Sequence, residues 1–202
     1  SLTKLPRPFG PFTLIRLIAQ GGMGQVFLAL RPVEGEATDE VCVVKTVRTD
    51  LREDREAVGR FLDEARIIQL LDHPCICHTL DAGVHDRTYY LALEFISGRN
   101  FRDIQQRALK LGLPMPDDVL FHGIVQMLDA LAYAHSFNDE STGASLGMVH
   151  RDVSPHNLML GFDGYVKLID FGLAAHTLKR ELTRPGIMVG KLRYNAPEQV
   201  RD

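Results

Sequence analysis

The amino-acid sequence predicts an α+β fold in two lobes, a β-rich first lobe and a mainly helical second lobe. Two observations predict this fold. Short apolar and β-branched runs dominate the chain up to residue 96, as is typical of strands. From residue 117 the apolar residues recur at three- and four-residue steps, which indicates a long amphipathic helix. The 202 residues, 45% hydrophobic and 24% charged, suit one globular domain, which we place over residues 1–202.

The first lobe, residues 1–96, is predicted to contain four strands and one helix. The glycines at positions 21, 22 and 24 separate two apolar runs, so we expect them to occupy a hairpin turn. The helix is predicted over residues 53–71, because the apolar residues there change to a helical period and Pro74 follows its end. The predicted strands cover residues 12–18, 26–30, 41–47 and 89–96.

The second lobe, residues 97–202, is predicted to contain a helix over residues 117–136 and two short strands. The strands, residues 158–160 and 166–169, flank a turn that contains two glycines. We expect the junction of the lobes, near residues 94–98, to form a cleft that can hold a ligand. The helix carries its apolar residues on one side: Leu120, Ile124, Leu128, Leu131 and Ala134.

Charge and hydropathy argue against two classes of partner. The formal net charge of -3 and the pI near 6.2 give no reason to expect nucleic acid or an anionic membrane. No apolar run approaches the ~18 residues that a membrane-spanning helix needs. The chain itself is therefore expected to have no membrane segment and to be cytoplasmic.

The three cysteines are predicted to be reduced core residues. Cys42 lies in an apolar run, whereas Cys75 and Cys77 are two positions apart. A zinc site would need a second Cys or His pair at ligand spacing. His73 and His78 are close by, so metal binding stays open as the lesser alternative.

A run of polar residues in the second lobe is typical of a cation site beside a reacting hydroxyl. In His150-Arg151-Asp152-Val153-Ser154-Pro155-His156-Asn157, the carboxylate and the amide lie five residues apart. The carboxylate can orient a hydroxyl, and the amide oxygen can bind a cation. Asp170-Phe171-Gly172 adds a second carboxylate after a strand. Oxygen ligands of this kind suit Mg²⁺.

The first lobe supplies groups that suit phosphates. Gly21, Gly22 and Gly24 allow backbone N–H groups to approach phosphate oxygens closely. Lys45 lies on the third strand and Glu64 on the following helix, so the carboxylate can hold the ammonium group in position. Each motif alone is a common surface feature, but their order along one chain is specific.

This ordered set, closed by Ala196-Pro197-Glu198, resembles the protein kinase family, and most of all the bacterial serine/threonine kinases of eukaryotic type. The resemblance covers residues 12–199. It implies a kinase fold, ATP and Mg²⁺ as cofactors, and transfer of the γ-phosphate to Ser or Thr hydroxyls of protein substrates in bacterial signalling.

The resemblance also implies roles for individual residues. Lys45 would hold the α- and β-phosphates and pair with Glu64, Asp152 would be the catalytic carboxylate, and Asn157 and Asp170 would hold Mg²⁺. His150 and Phe171 would stack with Ile68 and Leu80. The nucleotide would contact Ala19, Gln20, Gly21, Gly22, Met23, Gly24, Val26, Val43, Lys45, Leu93, Glu94, Ile96, Met159 and Asp170.

The sequence departs from the family pattern at three positions. Ala19 replaces the first glycine of the Gly-rich loop, which should weaken ATP binding or leave it unchanged. Ser154 stands where the family usually has lysine, and Lys191 stands where it usually has threonine. We therefore hypothesise an exchange, in which Lys191 supplies the catalytic ammonium group and Ser154 the hydroxyl.

Arg151 precedes the catalytic aspartate and can pair with a phosphate group on the activation segment. Thr183 stands where the bacterial kinases that the sequence resembles carry such a site, so the resemblance implies self-phosphorylation at Thr183, with Thr177 as second choice. Because the family fold continues beyond the Ala-Pro-Glu motif, we expect an active parent protein, which can be membrane-tethered, and a shorter piece that can be inactive. Two alternatives stay open: a pseudokinase or truncated nucleotide-binding scaffold, and a small-molecule kinase of the aminoglycoside or choline type.

Overall fold

The computed structural model describes residues 4–21, 24–47, 65–138, 143–146, 148–150, 152–171 and 194. The chain divides into two compact units. The first comprises residues 1–70 and 78–95, and the second comprises residues 71–77 and 96–202. The short segment 71–77 therefore belongs with the second unit, although the first unit continues after it.

The first unit is built on a six-stranded antiparallel sheet with the strand order β1-β2-β3-β4-β6-β5. In β4 the side chains alternate, so that Cys42, Val44 and Thr46 are buried while Val43 and Lys45 are half-buried on the other face. The strands are β1 Arg7–Phe9, β2 Phe12–Gly21, β3 Gly24–Arg31, β4 Glu40–Val47, β5 Thr79–His85 and β6 Thr88–Glu94.

One face of this sheet carries an aromatic-rich core. The ring of Tyr90 makes edge contacts with Phe9 and Phe12, at centroid distances of 5.7 and 5.5 Å. Its hydroxyl donates a hydrogen bond of 2.8 Å to Asp81 Oδ2. Burial, together with this bond, raises the pKa of Tyr90 to about 12. The buried members of the cluster are Phe9, Phe12, Leu14, Phe27, Ala29, Cys42, Val44, Tyr90 and Ala92.

The second unit contains a three-stranded sheet, β7-β8-β9, and two helices among its described residues. The amide oxygen of Asn100 accepts a hydrogen bond of 2.7 Å from the backbone N–H of Asp103, which caps the first helix. The elements are β7 Gly98–Asn100, α1 Phe101–Lys110, α2 Asp117–His135, β8 Leu158–Gly161 and β9 Val166–Leu168. Within the described part of the chain, no helix combines the length and apolarity that crossing a bilayer requires.

Helix α2 packs through its small residues. Gly123, Ala130 and Ala134 are its buried positions, and the ring of Phe101 lies against Gly123. Leu120 and Leu128, from the apolar side that the sequence pattern indicates, are 40% and 55% exposed. The apolar period therefore predicted the helix correctly, and of its apolar side Ala134 is buried whereas these two leucines are exposed.

Several elements differ from those predicted. The strand predicted over residues 89–96 is β6, which ends at Glu94, and the strand predicted over residues 12–18 continues to Gly21. Of the helix predicted over residues 53–71, residues 65–69 are helical and the part up to residue 64 lies outside the described residues. The elements β1, β5, β7 and α1 are not among those predicted from the sequence.

Candidate active site

Lys45 lies in the middle of the six-stranded sheet, on the face opposite the aromatic core. Its neighbours across the ladder are Val26 in β3 and Leu91 in β6, and its side chain is half-buried. Val43, two residues earlier, occupies the same face and pairs with Leu93. The strand period thus brings Lys45, Val43 and Val26 to one face, as expected for residues that contact one ligand.

The Gly-rich segment forms the junction between β2 and β3. Gly21 and Gly24 face each other at the open end of this strand pair, and Gln20 pairs with Gln25. Ala19 and Gly21 are exposed, and a Cβ atom built on Gly21 meets no other atom within 4 Å. The prediction of a glycine hairpin is consistent with this pairing, although Gly22 and Met23 lie outside the described residues.

Glu94 ends β6 and is fixed by two contacts with His78. Its carboxylate accepts a hydrogen bond of 2.7 Å from the His78 backbone N–H, and its own N–H donates to the His78 carbonyl at 3.0 Å. The side chain therefore binds the backbone of the residue that precedes β5. Ile96 follows two residues later and belongs to the second unit.

In the second unit, Asp152 and Asn157 lie in direct contact. The Asn157 side-chain amide donates to the Asp152 carbonyl at 2.8 Å and to its carboxylate Oδ2 at 3.1 Å. Asn157 is only 4% exposed, so these bonds hold both side chains in a defined geometry. Since both amide protons face Asp152, the remaining polar atom of the side chain, Oδ1, is an acceptor that suits a cation.

His150 stabilises the loop that carries Asp152 and Asn157. Its Nδ1 accepts a hydrogen bond of 3.3 Å from the Asp152 backbone N–H, and its Nε2 lies 2.9 Å from the Ile169 carbonyl. These two contacts require the proton to be on Nε2, which donates to the carbonyl. The ring is 2% exposed and meets Phe171 edge-on at 4.7 Å. His150 and Phe171 therefore touch, as the resemblance implies.

Asp170 follows β9 and has an unusual backbone conformation. Its φ angle is +62°, a left-handed region that few non-glycine residues adopt. The Ile169 N–H donates to the Asn157 carbonyl at 2.9 Å, which ties the residue before Asp170 to the loop that carries Asn157. Backbone strain of this kind is concentrated at functional sites, so it supports a role for the Asp170 carboxylate.

Ser154 is a buried polar residue with an unsatisfied hydroxyl. It is 5% exposed, and among the described residues its Oγ is the buried side-chain atom without a hydrogen-bond partner. Its backbone carbonyl accepts from the Asn157 N–H at 2.9 Å. Unsatisfied buried hydroxyls are rare because they lose the bonds they would make in water.

Met159 lies in the middle of the three-stranded sheet. It pairs with Asn100 in β7 and with Lys167 in β9 and is half-buried. The predicted site residues that lie outside the described part of the chain are Gly22, Met23, Glu64, Arg151, Gly172, Thr177, Thr183, Lys191 and the Ala196-Pro197-Glu198 motif.

Sequence reasoning missed the carbonyl of Ile169, which accepts the His150 proton. No side-chain pattern could have indicated it, because every residue carries a carbonyl and only the fold brings this one to the ring. It also missed the pairing of segment 75–77 with β9, where Cys77 N–H donates to the Leu168 carbonyl at 2.9 Å.

Comparison with known proteins assigns the family. A family model described as the protein kinase domain matches residues 12–202. The chain belongs to the protein kinase family. The α+β kinase fold predicted from the sequence is confirmed by this match and by the likeness to the crystal structure of the Mycobacterium tuberculosis PknI kinase domain. That likeness has a TM-score of 0.65 and 27% identity, and it covers 84% of this chain and 61% of the other.

Three similar proteins are bacterial kinases. The chain is 35% identical over 99% of its length to the tyrosine-protein kinase MasK of Myxococcus xanthus, of which it covers 31%. It is 30% identical to the serine/threonine-protein kinase PrkC of Bacillus subtilis over 95% of this chain and 27% of that protein. It is 35% identical to PknA of Mycobacterium tuberculosis over 94% of this chain and 41% of that protein. The chain thus spans less than half the length of these kinases.

Protein kinase domains in general use ATP and a divalent metal ion. The resemblance to bacterial kinases that the sequence indicated is confirmed by the family match and by these relatives.

Proposed function

We propose that this chain is the catalytic part of a bacterial serine/threonine protein kinase that transfers the γ-phosphate of ATP to protein hydroxyls. The observation that carries this proposal is the hydrogen-bonded pair of Asp152 and Asn157. A carboxylate in this position can accept the proton of a substrate hydroxyl, provided that its orientation is fixed. The buried amide of Asn157 fixes it.

The first unit is proposed to bind the nucleotide. Lys45 would pair with the α- and β-phosphates, because its side chain extends from a central strand on the face opposite the core. The Gly-rich hairpin would offer backbone N–H groups to the phosphates. In this unit the residues proposed to contact ATP, as the resemblance implies, include Val26, Val43, Leu93 and Glu94.

The metal ion is proposed to be Mg²⁺, held by Asn157 and Asp170. The donor set fits, since it consists of one amide oxygen and one carboxylate, and Mg²⁺ binds through few protein oxygens plus phosphate groups. When bound, the ion would neutralise charge on the transferring phosphoryl group. The chain's own contribution is to hold these oxygens in place, through the bond between Ile169 N–H and the Asn157 carbonyl.

The test of this function is an assay of the full-length protein with radiolabelled ATP and generic protein acceptors. We expect ATP binding in the presence of Mg²⁺ and incorporation of phosphate into Ser or Thr. Phosphoamino acid analysis separates this result from tyrosine phosphorylation, which the name of MasK makes worth measuring. If saturating nucleotide and metal give neither binding nor incorporation, the proposal is wrong.

The same incubation tests self-phosphorylation. We propose Thr183, and as second choice Thr177, as acceptors whose phosphate would pair with Arg151. Phosphopeptide mass spectrometry after incubation with Mg-ATP should find modified Thr183. A fully active enzyme in which both threonines stay unmodified would contradict this part of the proposal.

The unsatisfied hydroxyl of Ser154 supports the proposed exchange with Lys191. If Lys191 supplies the catalytic ammonium group, the Ser154 Oγ gains a donor that the described residues do not provide. We expect Lys191→Ala to lower kcat about 10²–10³-fold, the usual effect of losing one charge-stabilising group. The exchange of roles between Ser154 and Lys191 would be refuted if Lys191→Ala kept the wild-type kcat while the control variant Asp152→Ala was inactive.

Ser154→Ala should separate stability from activity. Removing this hydroxyl is expected to change the free energy of unfolding by no more than about 1 kcal/mol, the usual net contribution of one hydrogen bond, while kcat falls because Lys191 loses its partner. In Lys191→Ala, the added Ser154→Ala change should cost little further activity, because both variants break the same contact. Thermal unfolding and steady-state kinetics of the two single variants and the double variant measure both effects.

A further inference from the structure

A second cluster of reactive side chains lies in the second unit and takes no part in the proposed phosphoryl transfer. His73, Cys75 and Asp129 each offer one ligand atom, and these atoms all lie within 4.8 Å of one another. His73 Nε2 and Asp129 Oδ2 are 3.4 Å apart. The sequence indicated the histidine and the cysteine as neighbours, but only the fold brings the aspartate of α2 to them.

The backbone around the cluster is well fixed. Cys75 and Cys77 pair with β9, since the Cys75 carbonyl accepts from the Leu168 N–H at 2.8 Å. The turn is closed by a 3.0 Å bond from the Ile76 N–H to the His73 carbonyl. Asp129 is on the long helix α2. A site on such elements changes shape little when it binds an ion.

The side chains are also held in place. The His73 ring stacks on Tyr133 with centroids 4.9 Å apart, and the Tyr133 hydroxyl accepts from the Asp72 N–H at 3.2 Å. The Cys75 sulfur lies 3.6 Å from Gln126 Oε1, which in turn accepts from the Val166 N–H at 2.9 Å. Gln126 therefore orients the thiol in the metal-free protein.

We propose that His73, Cys75 and Asp129 bind a single zinc ion, with water as the fourth ligand. One imidazole, one thiolate and one carboxylate are ligand types that zinc accepts. Zinc bonds of about 2.0–2.1 Å place neighbouring ligand atoms of a tetrahedron about 3.3 Å apart. The 3.4 Å between Nε2 and Oδ2 matches this spacing.

Access and burial differ across the cluster in a way that suits an open site. The Asp129 side chain is 67% exposed, whereas that of His73 is 14% exposed and Cys75 is buried. An ion can therefore enter from the solvent beside Asp129 and bind the buried sulfur of Cys75. The water-filled fourth position would face solvent.

Binding requires three adjustments. Burial, and to a lesser extent the Asp129 carboxylate, raises the pKa of the Cys75 thiol, while Lys167 lowers it, so the ion must displace the thiol proton. The His73 proton must move from Nε2 to Nδ1, which breaks the 3.2 Å bond from the Cys75 N–H. The thiol must also give up its contact with Gln126. Three bonds to the ion would replace these two hydrogen bonds and the contact between His73 Nε2 and Asp129.

The competing explanation is a metal-free pair, in which His73 Nε2–H donates to Asp129 and no ion binds. Cobalt distinguishes the two, because a cobalt–thiolate bond gives a strong near-ultraviolet absorption that carboxylate and imidazole ligands do not. Chelator-treated full-length protein is titrated with Co²⁺ without nucleotide. We expect one equivalent to produce the thiolate band and Zn²⁺ to abolish it by displacement.

Variants assign the ligands. Asp129→Asn alters an exposed side chain and should weaken Co²⁺ binding at least about tenfold, whereas Asp118→Asn, on the same helix, should not. Cys75→Ala should remove the band, and Cys42→Ala should keep it. Absence of the band in the wild type, its survival in Cys75→Ala, or unchanged affinity in Asp129→Asn would each overturn the proposal. These readouts do not depend on kinase activity.

Discussion

Asp152→Asn is expected to lower the turnover number of the full-length protein by ~10²–10⁴-fold, the usual loss for a positioned general base. Asparagine has nearly the same size and can still accept the hydrogen bond from the Asn157 amide, which measures 3.1 Å in the wild type. The substitution therefore removes charge and basicity but keeps the geometry. Affinity for ATP should change little, because the carboxylate acts on the hydroxyl of the protein substrate.

Two measurements make this prediction specific. Steady-state kinetics give kcat, and equilibrium binding of a fluorescent ATP analogue gives the nucleotide affinity. Asp163→Asn is the matched control, since Asp163 is exposed in the turn between β8 and β9 and caps the Tyr165 N–H at 3.1 Å. If Asp152→Asn retains most of the wild-type rate, the proposed role of this carboxylate is wrong.

Gly98→Ala is expected to lower the free energy of unfolding by at least about 2–3 kcal/mol. A Cβ atom at this position would overlap the Leu160 carbonyl oxygen and would lie 2.8 Å from the Gly161 Cα and from the Leu160 carbonyl carbon. These are backbone atoms of the paired strand, so no side chain can rotate away. Relief requires β7 and β8 to separate, which would displace Met159 as well.

Thermal unfolding followed by circular dichroism measures this effect. For a domain of this size, the expected drop in Tm is roughly 5–10 °C. Gly21→Ala is the stability control, because its Cβ would meet nothing within 4 Å. Equal Tm values for Gly98→Ala and the wild type would show that the two strands are not as close as described.

The fold could be predicted where apolar and β-branched residues are concentrated. The apolar run at residues 41–44 predicted β4 almost to the residue, although only the structure shows that Cys42 and Val44 point to the core while Val43 and Lys45 point away. β5 was missed because its sequence, Thr-Leu-Asp-Ala-Gly-Val-His, contains residues that disfavour strands. α1 was missed because most of its residues are polar, and its Asn100 cap is only meaningful once the helix is recognised.

The candidate active site could be predicted only in part, because spacing along the chain does not show which distant residues come into contact. The spacing of Asp152 and Asn157 indicated one pocket, and the structure brings the two side chains into contact. Nothing in the spacing could indicate that His150 would reach the Ile169 carbonyl or that Asp129 would meet His73. These contacts join residues that are 19 and 56 positions apart, and only tertiary packing determines them.

The two contacts of His150 have different consequences for sequence variation. On one side the imidazole meets main-chain atoms of residue 152, and on the other it meets the carbonyl of residue 169. Mutational scanning should therefore find position 169 permissive to residues other than proline, since each supplies that oxygen and the N–H that donates to the Asn157 carbonyl. Position 150 should accept almost no replacement. Its side chain must donate one hydrogen bond and accept another at the same time, and these two bonds connect the segments that carry Asp152 and Asp170.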